Sequence, residues 1–85
     1  MLAFMQNNMI INVQELDQKK YFKESLYSIE VDNLKRIEFL RIISDLKGVT
    51  FFQGFKYEKF TTVYKFVIRW RTMVELKEKA RYKNN

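Results

Sequence analysis

The sequence predicts a small α+β domain in which an antiparallel sheet carries one long amphipathic helix over about residues 33–47 and a short basic C-terminal helix over about 73–82. Three patterns predict it. Apolar residues recur at helical steps after Asp32, strict alternation takes over around Tyr64, and a capping-box pattern begins at Thr72.

In the first pattern Leu34, Ile37, Leu40, Ile43 and Leu46 recur every third residue, with Phe39 and Ile42 beside them. Asp32 or Asn33 can accept from the free amides of the first turn, and Gly48 supplies the stop. In the second, Tyr64, Phe66, Ile68 and Trp70 fall on one side of a strand over 64–71, and Val63, Lys65, Val67, Arg69 and Arg71 on the other. The aromatic side is expected to pack on the 33–47 helix. Residues 49–52 are rich in strand formers and are expected to pair with that strand as a hairpin whose connection lies within 53–59.

In the third pattern Thr72 and Glu75 stand at capping-box spacing, and Met73, Leu76 and Ala80 form a narrow apolar stripe behind them. The first thirty residues are less patterned. Residues 9–13 read as a strand, 15–23 as a turn or short helix, and 26–31, where Tyr27, Ile29 and Val31 alternate, as a further strand.

Eighty-five residues make one domain, 1–85, with no internal repeat; no Pro and only Gly48 and Gly54 leave no place for a linker. A chain of this size needs one compact core, which eight Phe, five Tyr and one Trp can fill without staples. Residues 1–13 lack a basic leader and are broken by Gln6, Asn7 and Asn8, which speaks against a secretory signal. No run is long enough to span a membrane, so the expected location is cytoplasmic.

With no Cys and no His, the chain lacks thiolate nucleophiles, the commonest metal ligand and the usual general base near neutral pH. Its carboxylates alternate with basic residues on polar faces and show no ligand spacing. Neither glycine is followed by the Lys-Ser or Lys-Thr of a phosphate-binding loop. Catalytic residues, a metal site, a cofactor and a small-molecule substrate are therefore not expected, and the reading is of a non-enzymatic binding protein.

The formal net charge of +6 is unevenly spread. Residues 1–55 balance seven Lys/Arg with seven Asp/Glu, whereas 56–85 carry nine Lys/Arg against three Glu. Part of this is compositional, because Phe, Ile, Lys, Asn and Tyr, the residues of AT-rich codons, make up 37 of the 85.

Two functions follow as expectations. The first is protein–protein interaction, as an accessory subunit or inhibitor of a larger complex, with Phe55, Tyr57 and Phe60 as apolar anchors in a basic surround. The alternative is an RNA- or DNA-binding module whose phosphate contacts are Lys56, Lys59, Lys65, Arg69 and Arg71 on and near the strand, with Lys77 and Arg81 on the C-terminal helix. No RRM, KH or zinc-finger signature is present to favour the second, so the first leads.

Overall fold

A computed structural model describes residues 8–82; the ends of the expected 1–85 domain, including Lys83 and the tail towards Asn85, lie outside the described residues. The fold is α+β. Strands β1 (Ile10–Lys19), β2 (Glu24–Asp32), β3 (Val49–Tyr57) and β4 (Thr61–Arg69) form one antiparallel sheet of order β1-β2-β4-β3, with helix α1 (Arg36–Asp45) between β2 and β3 and helix α2 (Trp70–Lys79) after β4.

Alternation decides which side of the sheet is covered. Ser25, Tyr27, Ile29 and Val31 of β2 and Thr62, Tyr64, Phe66 and Ile68 of β4 are all buried. The apolar ones join Phe39 and Ile43 of α1, Met73 and Leu76 of α2 and Ala80 just beyond it in one core, so both helices lie on the same face. Among the described residues the opposite face carries no helix. Phe39 stacks on Tyr64 at 5.4 Å between ring centroids, fixing α1 over the central strands.

The helix over 33–47 begins as a single 3-10 turn, Asn33–Lys35, before α1 proper. Asp32 caps it, its carboxylate accepting the Leu34 N–H at 2.9 Å. Asn33 does something else: its amide donates to the carbonyls of Glu58 and Lys59 at 2.8 and 3.1 Å, its Oδ1 accepts from Thr62, and its N–H donates to the Phe60 carbonyl. It thereby clamps the β3–β4 turn to the start of the helix. Leu34 and Ile37 are exposed, contrary to the expected stripe. A strict three-residue step rotates about 60° per repeat on a 3.6-residue helix, so the five positions cannot share one face; the buried ones are Phe39 and Ile43, with Ile42 and Leu46 beside them.

Two further boundaries differ from expectation. Residues 15–19 continue β1 as strand rather than forming a helix, and only Lys20–Phe22 turn, closed by Lys23 in the left-handed conformation. Strand β4 stops at Arg69 and not at residue 71, because Trp70 donates its N–H to the Lys23 carbonyl and starts α2. The capping box does not form: the Thr72 hydroxyl donates to the Lys47 carbonyl at 2.7 Å, and no side chain caps α2. The expected stripe of Met73, Leu76 and Ala80 is buried. The C-terminal end of α2 closes as a Schellman motif, with Tyr82 N–H on the Lys77 carbonyl, Arg81 N–H on that of Glu78, and Arg81 itself left-handed at φ 58°.

Candidate functional site

Helix α1 covers β2 and β4 but leaves β3, the edge strand, open on the helix side. A groove of about 400 Å³ results. Leu40 and Ile43 of α1 form one wall, Phe52, Phe55 and Tyr57 of β3 the other, and Thr62, Tyr64 and Phe66 of β4 the floor. The Arg36 guanidinium sits 5.6 Å from the Tyr57 ring centroid at one end.

The wall depends on a bulge. The register slips between Phe52 and Gly54, so Phe52 lies opposite Phe66 and Phe55 opposite Tyr64, both on the helix side although three apart in sequence. Gly54, at φ 152°, supplies backbone freedom at the slip. Phe52 lies 5.1 Å from Phe66, Phe55 6.3 Å from Tyr64, and the two wall rings 6.5 Å from each other. These rings are held by their neighbours yet about half or more exposed: Phe52 is 48%, Phe55 62% and Tyr57 62% accessible, and Phe51 on the opposite face 59%. So much aromatic surface on one edge is unusual for a free monomer.

The expected anchors therefore separate. Phe55 and Tyr57 line the groove, whereas Phe60 sits in the β3–β4 turn and shares a second apolar hollow with Ile11 and Leu34. Phe52, not singled out from the sequence, belongs to the groove; what would have revealed it is the bulge, which no local pattern marks.

The expected basic face also divides. Lys56, Lys65 and Arg69 do lie on the helix-free face, but Arg71 is on α2. The three are not alike: Glu58 pairs with Lys56 at 3.4 Å, Glu24 lies directly opposite Arg69 in the β2–β4 register, and Lys65 lies opposite Ser28. Lys59 turns over the Phe60 ring, Lys77 over the Tyr82 ring on the helix side, and Arg81 holds its left-handed position beyond α2. The seven cations form no continuous track.

The topology does gather a different basic set. Backbone links join the β1–β2 turn, the α1–β3 connection and the start of α2 at one pole, through Trp70 N–H on the Lys23 carbonyl and Arg69 N–H on that of Gly48, both at 2.9 Å. Lys20, Lys23, Lys47, Arg69 and Arg71 belong to these linked segments, as do Tyr21 (91% exposed) and Phe22 (58%), whose rings form an edge-to-face pair, while Lys19 pairs with Asp17 at 3.4 Å. The run from Lys19 to Lys23 was the available sequence signal.

A hydrogen-bonded chain crosses the other side of the core. The Trp70 indole donates to Ser25 Oγ, Ser25 donates to Glu15 Oε2, and Gln18 donates to Glu15 Oε1. Hydrogen bonds from the Ser25 hydroxyl and then the Gln18 amide hold the Glu15 carboxyl below its ordinary value, against an opposing push from desolvation and with a still smaller contribution from the Lys77 charge. Burial raises the Tyr27 phenol.

Among the described residues no group of three or more acidic side chains converges as a metal site would require, and no helix is long and apolar enough to cross a membrane. No family model matches the chain, nor does any curated protein or solved structure.

Proposed function

We propose that the chain is a non-enzymatic protein-interaction module, an accessory subunit or inhibitor within a larger complex, that receives an extended polypeptide along the β3 edge. The carrying observation is the aromatic groove lying beside an edge strand. An added strand would take main-chain hydrogen bonds from β3 while its alternate side chains entered the groove, which combines affinity with selectivity. The cytoplasm is the proposed location, on compositional grounds only.

The test is selection of peptides from a displayed random library on the immobilised protein. Enriched peptides should alternate apolar residues, and their binding should fall at least tenfold in a Phe55→Ser, Tyr57→Ser variant while surviving Lys77→Gln. Both rings are mostly exposed, so the variant should keep its fold. Peptides indifferent to the two substitutions would overturn the reading.

A second reading, nucleic-acid binding, is favoured by the pole rather than by the strand face, because the segments linked there carry both basic residues and exposed rings able to stack on bases. A single-stranded oligonucleotide should then bind with a steep salt dependence that flattens in Lys20→Gln, Lys23→Gln and should lose affinity in Tyr21→Ala. Salt-independent binding, or none, would remove it.

A further inference from the structure

We infer that the occupant of the β3 edge is a second copy of this chain, joined β3 to β3 about a two-fold axis that passes between Gln53 and Gly54. The inference rests on the protein-interaction reading above and names its partner.

The two edges of the sheet are unequal. Strand β1 carries Glu15, Asp17 and Lys19 within its ten residues, the kind of charge that discourages pairing, whereas β3 has only Lys56 in nine and no Pro. The edge left unguarded is the one bearing the exposed rings.

Self-pairing also solves a register problem. Opposed residues in an antiparallel pair share a face. A two-fold between Gln53 and Gly54 sets Phe52 against Phe55 of the second copy. In a regular strand those residues would point to opposite faces and the pairing would fail. The bulge brings both to the helix side, opposite Phe66 and Tyr64 of their own chain. Four phenylalanine rings then meet across the axis. On the helix-free side Phe51, which faces Val67, comes against Lys56 of the second copy, which faces Val63, so a ring meets a cation and the two Lys56 charges stay apart. An isologous interface requires this kind of self-complementarity.

The area is adequate. At about 200 Å² per aromatic side chain, the exposed parts of Phe51, Phe52, Phe55 and Tyr57 come to roughly 450 Å² per copy. Two copies supply about 900 Å² from these rings alone. Backbone edges and the α1 wall add to it, towards the roughly 1,200 Å² at which stable interfaces begin. The product is one continuous eight-stranded sheet.

Because the chain has no cysteine, single introduced thiols report on the pairing cleanly. Sedimentation equilibrium on the full 10.5 kDa chain should show twice that mass, dissociating on dilution. Mild oxidation of Gln53→Cys should give a disulfide-linked dimer, since the axis brings the two positions together, while Gln14→Cys on the β1 edge should not. Phe55→Lys should weaken association at least tenfold with unchanged circular dichroism. A monomer at millimolar concentration, or cross-linking through Gln14→Cys in preference to Gln53→Cys, would overturn the inference. A monomer that still selects groove-dependent peptides would sink the dimer and leave the interaction reading standing; one that selects none would sink both.

Discussion

Trp70 and Ser25 are 45 residues apart in the chain, yet the indole N–H of Trp70 donates to the Ser25 hydroxyl at 2.7 Å, and that hydroxyl donates onward to Glu15. The first residue of α2 is thus tied through the central strand β2 to the edge strand β1. Trp70→Phe keeps most of the packing but removes the donor, and should lower stability by about 1–2 kcal/mol. Trp70→Ala should cost more, about 2–4 kcal/mol, less than a fully buried Trp because the ring is half-buried. Urea unfolding with unchanged slope checks both.

The same chain sets the ionisation of Glu15. Its carboxyl should titrate below the ordinary 4.5 when followed by side-chain NMR, and Ser25→Ala should move it back towards that value. A depressed folded pKa means that the contribution is complete above about pH 4.5 and disappears as the pH falls through the folded value. The stability difference between parent and Ser25→Ala should accordingly narrow in acid. A difference that widens in acid would assign the wrong sign.

Asn33 holds the β3–β4 turn with both ends of its amide. Asn33→Ala should cost about 2–3 kcal/mol, since carbonyls and a buried Thr62 hydroxyl lose partners. Asn33→Asp should be no better, because a carboxylate cannot donate to the Glu58 and Lys59 carbonyls. Amide exchange in 57–62 should rise in both variants, and equal stability of Asn33→Asp and parent would refute the clamp.

Gly48 has φ 101°, and a Cβ there would collide with Thr72 Oγ1. Gly48→Ala should destabilise by about 2–4 kcal/mol through strain and clash together. In a Thr72→Ala background the collision with Oγ1 is gone, leaving a tight 3.2 Å approach to Cβ and the backbone strain, so the two effects should be less than additive in a double-mutant cycle.

Arg81 occupies the left-handed position that closes α2, where an L side chain is strained. Arg81→Gly should therefore raise stability by about 0.5–1 kcal/mol, visible as a higher Tm. A lower Tm would show that the arginine side chain contributes more than its backbone costs.

Local features were legible where local chemistry decided them. Asp32 marked the start of the helical segment because capping is written in one residue, and β4 showed itself because the sheet buries alternate positions; Gly48 is not the helix stop, since α1 ends at Asp45 with Leu46 already extended, and its positive φ instead leads into β3. The part of β1 over 15–19 was hidden because it is an exposed edge strand with little apolar alternation, whose Glu15, opposite Tyr27, accepts from Ser25. Thr72 and Glu75 misled because a tertiary acceptor, the Lys47 carbonyl, took the hydroxyl that the local motif needed. For the candidate surface, residue type pointed to Phe55 and Tyr57, but Phe52 joined them only through the slip at Gln53. The row of Lys65, Arg69 and Arg71 dissolved because the chain turned helical at Trp70.

The order β1-β2-β4-β3 places two local hairpins side by side, joined only along β2 and β4. Each hairpin can form within microseconds, but the β2–β4 ladder must close loops that lengthen from the Asp32/Thr61 pair, 29 residues apart, to Glu24/Arg69, 45 apart. The ladder is thus expected to zip from the end that Asn33 clamps. Substitutions there should slow refolding, whereas those at the Trp70 end should chiefly speed unfolding. The amide that closes a turn in the finished protein would then also set how fast its two halves find each other.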